Sequence, residues 1–297
     1  MLKYRLYGLN AESQWPLPEC ALAEPESVTD IQFVRGLVPA QGIDSASDNR
    51  WEQSKAGDFW LNVEEVARYW IKKGKEIIIE PYPGADDESI RLFLLGSALG
   101  ALLFQRCLLL IHGNAIEVNG GCLVCVGDSG AGKSTLAAAF LQHGNRLLAD
   151  DVVPVDANGL ATPGFPRIKL WGETARQLGI ETDGLRRIMP DMDKFNVPLG
   201  ERFCDTPLPV KWVYVLEPSE EDDFKLEPFE GMARFEPLHE NTYRVHFLEH
   251  MALKPQHLRQ VADLAGRIRM ARIRRPKQGF RLPELVRFIL DDIVRHP

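Results

Sequence analysis

Short apolar runs separated by turn-forming residues dominate the first 85 positions of the chain. Runs rich in β-branched and aromatic residues, such as Ile77-Ile78-Ile79, are typical of strands. The sequence Pro81-Tyr82-Pro83-Gly84 then breaks the pattern. Residues 1–85 are therefore predicted to form a small, mostly β N-terminal module, and residues 86–297 a separate domain. The predicted strands of the module are residues 3–7, 30–35, 59–63, 67–71 and 75–80.

A helix is predicted from Asp86 to about Arg106, because acidic residues open it and an apolar stretch follows. The stretch is apolar nearly all round, which indicates a central position in a core. It holds about 13 residues, fewer than the roughly 20 that span a membrane. Its Gly96 and Gly100 therefore predict close helix packing inside a water-soluble domain rather than helix pairing in a bilayer.

The middle of the chain alternates buried strands and tight turns. Residues 108–111 form one predicted strand, and residues 115–118 and 121–126 form a hairpin around Asn119-Gly120. A hairpin that runs directly into the next motif differs from simple alternation of strands and helices. The pattern therefore predicts a mixed sheet.

The motif that follows matches the phosphate-loop pattern G-x-x-x-x-G-K-[ST] at every specified position. It lies between the predicted strand 122–126 and a predicted helix over residues 136–142, the context that this loop requires. Glycines let several backbone N–H groups face one phosphate chain, and the helix N-terminus adds its dipole. Lys133 is predicted to reach the β- and γ-phosphates and Ser134 to bind Mg²⁺. The predicted nucleotide-binding residues are Gly127, Asp128, Ser129, Gly130, Ala131, Gly132, Lys133, Ser134 and Thr135.

Two acidic residues, Asp150 and Asp151, end the next predicted strand at residues 145–149. A carboxylate at the end of a strand beside a phosphate loop can hold Mg²⁺. Only 17 positions separate Lys133 from Asp150, so we expect the two strands to be neighbours in the sheet. Alone, the acid pair is also compatible with a solvated turn.

The last third of the chain has weaker signals. Residues 182–209 are rich in charge, Pro and Gly, which predicts either a mobile lid or a surface linker. Residues 210–216 are predicted as a strand, 217–250 as strands and turns, and 255–270 and 283–295 as helices. A basic run between those helices indicates a solvated edge or a surface for an acidic partner.

Composition limits the classes of function. The net charge is −7 at neutral pH, which disfavours non-specific nucleic-acid binding. The five cysteines are scattered, which favours a reducing compartment, the cytoplasm. Cys122 and Cys125 would point to opposite faces of one strand, so buried packing is a better interpretation than zinc binding. The first residues lack the apolar core of a signal peptide.

Three blocks in order resemble the HPr kinase family: His112-Gly113, the phosphate loop, and the run Gly144 to Asp151. The resemblance implies an α/β, mixed-sheet P-loop kinase domain of the HPr kinase/PEP-carboxykinase type, which here follows the β-rich module. It implies the cofactors ATP and Mg²⁺ and phosphorylation of a serine hydroxyl in a peptide or small protein. Symmetric oligomers are also implied.

The same resemblance implies roles for single residues. Asp151 or Asp150 would be the general base, and the other would help to hold Mg²⁺. The metal ligands would be Asp150 and Ser134. His112 would lie near the transferred phosphoryl group. Together with Lys133 these form the predicted catalytic set. Lys194 and Arg202 in the predicted lid are further candidates for phosphate contacts.

The sequence departs from true HPr kinases after the acid pair, because Gly164 to Trp171 replaces their glycine-rich signature. In this it resembles the stand-alone HPr-kinase-like proteins of peptide-maturation systems, including lasso-peptide precursor kinases. HPr itself, a small hydroxy amino acid, and a nucleotide-binding regulator without transfer chemistry remain alternatives.

Overall fold

The structure is a computed structural model that describes residues 1–39, 51–53, 57–277, 279 and 281–296. An eight-stranded sheet occupies the first part of the chain, in the order β3-β1-β2-β4-β8-β7-β6-β5. All five predicted strands are present, each within one residue of its predicted bounds. The strands are β1 Leu2–Leu6, β2 Leu9–Ser13, β3 Ala21–Leu22, β4 Ile31–Arg35, β5 Trp51–Gln53, β6 Asp58–Val63, β7 Ala67–Lys72 and β8 Glu76–Pro81.

The predicted helix follows as α1 (Asp87–Phe93), a π-helical turn (Leu94–Ala98) and α2 (Leu99–Gln105). Asp86 caps it by accepting a hydrogen bond from the Ser89 amide at 2.7 Å. The helix is buried in the same apolar cluster as the eight-stranded sheet. This helix and the sheet before it therefore share one core. The division of the chain into two domains at residue 85 stays a prediction.

The two glycines of the helix lie against one aromatic ring. A Cβ at Gly100 would lie 2.8 Å from Cε1 of Tyr243, and a Cβ at Gly96 would lie 3.5 Å from the Tyr243 hydroxyl oxygen. The prediction of close packing at these glycines is confirmed. Among the residues that the structure describes, no helix combines the length and apolar character that crossing a bilayer demands.

A nine-stranded mixed sheet forms the centre of the remaining chain, in the order β12-β10-β11-β17-β14-β13-β9, with β19 joined to β17 and β18 to β19. A two-stranded ribbon, β15–β16, lies beside it. The elements are β9 Leu109–His112, β10 Asn114–Val118, β11 Gly121–Val126, α3 Lys133–Gln142, β12 Arg146–Ala149, β13 Val152–Val155, β14 Leu160–Ala161, β15 Arg167–Trp171, α4 Gly172–Gln177, β16 Lys194–Pro198, β17 Leu208–Ser219, β18 Lys225–Pro228, α5 Phe235–Glu240, α6 Phe247–His250, α7 Lys254–Ala265, β19 Arg269–Pro276 and α8 Leu282–Arg295.

The hairpin and the mixed character of the sheet are as predicted. Asn119 and Gly120 both have positive φ, +48° and +70°, as a type I′ turn requires. Strand β11 is antiparallel to β10 and parallel to β17. Cys122 and Cys125 face different apolar clusters on opposite sides of the sheet, as expected for positions i and i+3 of a strand.

One expectation about the sheet is wrong. The strand before the acid pair, β12, is not a neighbour of β11, because β10 lies between them and pairs with both. The hairpin partner already occupies that edge of β11, so the returning chain pairs one strand further out. The acid pair is nevertheless at the same end of the sheet as the loop that follows β11.

The C-terminal expectations need two corrections. Within 217–250 only β18 and the end of β17 are strands, and α5 and α6 are helices. Most of the basic run is not a solvated edge, because it forms strand β19 next to β17, and Arg272 and Arg274 pair with acids of neighbouring strands. Arg272 lies 2.9 Å from Glu217 and 3.4 Å from Glu227, for example.

The predicted lid is also partly regular. Strand β16 lies inside residues 182–209 and pairs with β15 along its whole length. Ile168, Leu170 and Val197 project from one face of this ribbon into the apolar cluster that contains α3. The other face carries polar side chains. The segment is therefore anchored by a packed ribbon, which a loop or linker would lack.

Candidate active site

The phosphate loop connects β11 to α3 through residues 127–132. Gly127, Gly130 and Gly132 have φ values of +138°, +85° and +95°, which L-residues with side chains rarely adopt. A Cβ at Gly127 would lie 2.5 Å from the carbonyl oxygen of Leu216 on β17. The loop therefore requires glycine both for its backbone angles and for its approach to the neighbouring strand.

Lys133 is the first residue of α3 and folds back over the loop. Its Nζ donates hydrogen bonds to the carbonyl oxygens of Gly127 at 2.7 Å and Asp128 at 3.1 Å. Burial lowers the pKa of Lys133, and the charge of Asp151 partly offsets this. Ser134 and Thr135 follow in the first turn of α3. The ammonium group is thus held at the entrance of the loop, where a phosphate could replace the carbonyl oxygens.

A second cation holds the loop from the side. Arg275 of β19 donates from Nε at 3.0 Å and from Nη2 at 2.9 Å to the carbonyl oxygen of Ala131. The sequence predicted Arg275 only as part of a basic edge. No local signal links it to Ala131, because the contact depends on the parallel pairing of β19 with β17.

Asp150 is the buried member of the acid pair, with 7% of its surface exposed. One carboxylate oxygen accepts from the side-chain amide of Asn114, and the other accepts from the Lys169 backbone amide at 2.7 Å. Burial and the neighbouring charge of Asp151 raise the pKa of Asp150. Both oxygens are therefore engaged in holding β10 and β15 together.

Asp151 is the member of the pair that faces open space. It has a φ of +75°, which is a strained conformation for a residue with a side chain. Its Oδ2 lies 2.9 Å from Nζ of Lys169. Burial would raise the pKa of Asp151, but the Lys169 ammonium group and His112 hold it well below its usual range. Asp151 is therefore an ionised carboxylate at neutral pH.

His112 ends β9 beside Asp151. Its Nδ1 lies 2.9 Å from the carbonyl oxygen of Asp151 and 3.5 Å from Oδ1 of the same residue. A carbonyl oxygen can only accept, so Nδ1 carries the proton and Nε2 of the neutral ring is an acceptor. Burial lowers the pKa of His112, which keeps the ring neutral at neutral pH.

Asp151 and His112 lie at one open cleft of about 700 Å³. His112 and Asp151 form part of its wall, and the start of the phosphate loop and residues 240–246 form the rest. A neighbouring cavity of about 340 Å³ lies beyond Gly130, Gly132 and Thr135 and also touches Arg275. The structure thus brings Gly127, Asp128, Ser129, His112 and Asp151 to one cleft, whereas Asp150 lies behind it.

The two lid candidates differ in position. Lys194 lies on β16; its charge contributes to the lowered pKa of Asp151, and both aspartates partly offset the lowering of its own pKa by burial. Arg202 is exposed on a 3₁₀-helix, Gly200–Arg202, and within the described chain no hydrogen bond or ion pair joins it to the acids. The structure supports Lys194 as a neighbour of the cleft and gives Arg202 no such place.

The donor groups fit Mg²⁺ when phosphate oxygens complete the shell. In the described part of the chain, no cluster of three or more His, Cys, Asp or Glu side chains could hold a metal ion. Mg²⁺ beside a nucleotide needs only one or two protein oxygens, since it keeps waters and phosphate ligands. Ser134 stands at the loop, as predicted. Both oxygens of Asp150 are already bonded, so Asp151 is the more accessible carboxylate.

Three further residues of the site were not predicted. Asn241 accepts from the Gly127 amide through Oδ1 at 2.9 Å, and its carbonyl oxygen accepts from the His112 amide at 2.7 Å. Asn114 and Lys169 hold Asp150, as described above. The alternation Arg167-x-Lys169 could have indicated basic residues on one face of a strand, but Asn241 lies in a segment with no motif.

Comparison with known proteins agrees with this site. Residues 107–163 match the family described as HPr Serine kinase C-terminal domain. Relatives named HPr kinase/phosphorylase are 51% identical over 45 residues in Lactobacillus delbrueckii subsp. bulgaricus, covering 15% of this chain and 14% of the relative. The relative in Streptococcus equi subsp. zooepidemicus is 34% identical over 119 residues, which cover 36% of each chain. The relative in Streptococcus salivarius is 31% identical over 126 residues, which cover 39% of this chain and 38% of the relative.

A solved structure, the Hpr(Ser) kinase/phosphatase from Coxiella burnetii, is 13% identical, covers 62% of this chain and 88% of its own, and has a TM-score of 0.28. This chain spans well under half the length of each of the three curated relatives above. The matched segment 107–163 contains His112, the whole phosphate loop and both aspartates. Over this segment, the chain is similar to the HPr kinase family.

Proposed function

We propose that the protein transfers the γ-phosphoryl group of ATP, with Mg²⁺, to a serine hydroxyl of a peptide or small protein. The observation that carries this proposal is that Asp151 and His112 line the same cleft as the start of the phosphate loop. Phosphoryl transfer requires alignment and charge neutralisation more than covalent chemistry, and this cleft offers both.

The triphosphate lies along the loop in this proposal. Backbone N–H groups of the loop after Gly127 and the N-terminus of α3 face its oxygens; the Gly127 amide itself is held by Asn241. Lys133 exchanges its two carbonyl partners for the β- and γ-phosphates, and Ser134 contributes its hydroxyl to Mg²⁺, which neutralises phosphate charge when bound. The ribose and base occupy the cavity of about 340 Å³ next to Thr135.

The acceptor hydroxyl hydrogen-bonds to Asp151. As its oxygen forms a bond to the γ-phosphorus, the bond from that phosphorus to the bridging oxygen of ADP breaks. The hydroxyl proton passes to the Asp151 carboxylate. Lys169 keeps this carboxylate ionised and fixed, and Asp150 holds Lys169 through its backbone amide. Neutral His112 keeps the turn of Asp151 in place through the carbonyl oxygen of that residue.

The shape of the cleft favours a chain over a free metabolite as acceptor. The cleft is open and has about 700 Å³ of space, which exceeds what a single hydroxy amino acid fills. A ribosomal precursor peptide, such as a lasso-peptide precursor, is our first candidate, and HPr is the second. The relatives named HPr kinase/phosphorylase favour HPr, whereas the replaced signature after the acid pair favours another acceptor.

The experiment supplies labelled ATP and Mg²⁺ to the protein together with HPr and a pool of peptides that each contain one serine. Label should appear on serine with the wild type and with Asp263→Asn, a control at an exposed position of α7. Asp151→Asn should lower the rate at least 100-fold and still bind ATP. Absence of label on every acceptor, with ATP binding intact, would leave a nucleotide-dependent regulator as the function.

A further inference from the structure

A second cavity lies between the ribbon and the N-terminal part of the chain. It has a volume of about 390 Å³, and its wall includes Pro18 and Glu19, which follow β2, and Arg167 and Asn196 of the ribbon. A small adjoining cavity shares Glu19, Arg167 and Asn196 and reaches Lys169. We call the larger cavity the ribbon groove. The adjoining cavity, of about 10 Å³, has room for no more than a water molecule and ends at Lys169, which contacts Asp151.

The register of the ribbon explains why its groove face is polar. Arg167 is opposite Pro198, and Lys169 is opposite Asn196. Directly opposed residues of an antiparallel pair project to the same face, so these four side chains share it. The residues between them project into the core. The ribbon therefore presents a line of polar groups that leads away from the acid pair.

Three polar atoms in the ribbon groove lack a hydrogen-bond partner among the described residues. They are Nε of Arg167, Oδ1 of Asn196 and Oε2 of Glu19. Arg167 is 7% exposed, and its guanidinium group lies over the ring of Phe165 at 5.1 Å. A buried charged donor without a partner is costly, which indicates that a ligand completes it.

The unpaired atoms define the chemistry of that ligand. Arg167 offers a donor, whereas Asn196 and Glu19 offer acceptors. Glu19 is already paired with Arg91 through Oε1. A phosphate or a lone carboxylate would satisfy Arg167 but would offer no donor to the unpaired oxygens of Asn196 and Glu19. A peptide backbone supplies both a C=O for the donor and N–H groups for the acceptors. We infer that the ribbon groove binds the acceptor peptide in an extended conformation, an inference that rests on the proposed kinase function.

The distance from the acid pair fits this assignment. Lys169, which contacts Asp151, and Arg167 are two residues apart on β15, and two strand residues span about 7 Å. An extended peptide with its serine at Asp151 would therefore place a residue about two positions away beside Arg167. The N-terminal part of the chain, through Glu19, then helps to recognise the acceptor.

The test uses peptides selected from the serine pool for the best phosphorylation by the wild type. Arg167→Met removes the donor at similar volume, and Asn196→Ala removes an unpaired acceptor without breaking a described hydrogen bond. We expect Arg167→Met to raise the KM for peptide by about 10-fold or more and Asn196→Ala to raise it several-fold, both with little change in kcat. Arg259→Gln, an exposed arginine of α7, is the matched control and should leave KM unchanged.

A second readout separates this inference from the kinase function. Fluorescence anisotropy follows binding of labelled peptides from the same pool without ATP. Weaker binding by Arg167→Met supports the groove even if no transfer occurs, in which case only the kinase proposal fails. Unchanged KM and binding in both folded variants would overturn the groove, as would the absence of peptide binding to the wild type. Inorganic phosphate that competes with peptide in the wild type but not in Arg167→Met would identify an anion site instead.

Discussion

His112 and Asp151 are joined by a hydrogen bond from Nδ1 of the ring to the carbonyl oxygen of Asp151 at 2.9 Å. The antiparallel pairing of β9 with β13 places the two residues side by side, since His112 is directly opposite Val152. A ring held through a main-chain oxygen can keep its position whether or not the carboxylate binds a ligand. Oδ2 of Asp151 contacts Lys169, so Oδ1 is the carboxylate oxygen that can meet an acceptor or a metal ion.

Lys169 should set the pH range over which Asp151 stays ionised. Its ammonium group lowers the pKa of Asp151 in the folded protein. In Lys169→Met this pKa should rise, so the acid limb of the pH–rate profile should move to higher pH. Lys225→Met, which removes an exposed lysine of β18, should not move it. Because the folded pKa of Asp151 lies below its usual range, the profile of kcat/KM must run from about pH 3 to pH 8. An acid limb at the same pH in Lys169→Met and the wild type would show that Asp151 does not control the rate.

The glycines of the central helix should respond differently to a methyl group. In Gly100→Ala the new Cβ would lie 2.8 Å from a ring carbon of Tyr243, and in Gly96→Ala it would lie 3.5 Å from the hydroxyl oxygen. Gly100→Ala should cost about 1–3 kcal/mol in free energy of unfolding. Gly96→Ala should be neutral or stabilising by up to about 1 kcal/mol, because alanine favours helix. Urea titrations of both variants measure these free energies of unfolding. Equal stability of Gly100→Ala and Gly96→Ala would disprove the contact between Gly100 and the ring of Tyr243.

Arg275 should support nucleotide binding through the shape of the loop. In Arg275→Ala the carbonyl oxygen of Ala131 loses two donors, so the affinity for Mg-ATP should fall by roughly 10-fold. Arg275→Lys keeps the charge but not the paired hydrogen bonds and should lie between the wild type and the alanine variant. Arg287→Ala, an exposed arginine of α8, is the control. Isothermal titration calorimetry provides the measurement, and an alanine variant with wild-type affinity would contradict the role.

A buried ion pair should stabilise the C-terminal helix. Asp292 accepts hydrogen bonds from Arg269 at 2.8 and 2.7 Å and from the Tyr214 hydroxyl at 2.5 Å. Asp292→Ala should cost about 1–3 kcal/mol, because the buried Tyr214 hydroxyl and the half-buried Arg269 guanidinium group lose their acceptor. Asp291→Ala, at the exposed neighbouring position, should cost far less.

The same pair has a defined pH dependence. Burial opposes ionisation, but Arg269 and Tyr214 lower the pKa of Asp292 in the folded state. Its contribution is therefore complete above the unfolded pKa of about 4 and is lost as the pH falls through the lower folded value. The stability difference between wild type and Asp292→Ala should narrow below about pH 4. A constant difference down to pH 2 would contradict this assignment.

Local patterns predicted what depends on neighbours in sequence. The hairpin at Asn119-Gly120, the strand–loop–helix around Lys133 and the strand before Asp150 follow from turn chemistry and periodicity. The position of β10 between β11 and β12 could not be predicted, because local sequence does not show which strand pairs with each edge of β11. The roles of Arg275 and Asn241 likewise depend on pairings between distant parts of the chain, which carry no local signature.

The basic strand β19 shows why charge patterns mislead. Arginines at alternating positions resemble a solvated surface, but here their charges are matched by Glu217 and Glu227 across strands β17 and β18. The acids lie 45 or more positions away from Arg272 in sequence. A run of positively charged residues therefore predicts that negatively charged residues will pair with it, but not where in the sequence those residues lie.

The central claim is that the terminal phosphate of ATP lies next to Asp151. A crystal structure with Mg²⁺ and a non-hydrolysable ATP analogue measures this as the distance from the γ-phosphorus to the nearest carboxylate oxygen of Asp151. We predict a distance of about 6 Å, which leaves room for one hydroxyl oxygen between them. A distance of more than roughly 10 Å, with the analogue bound in the loop, would contradict direct proton acceptance by Asp151.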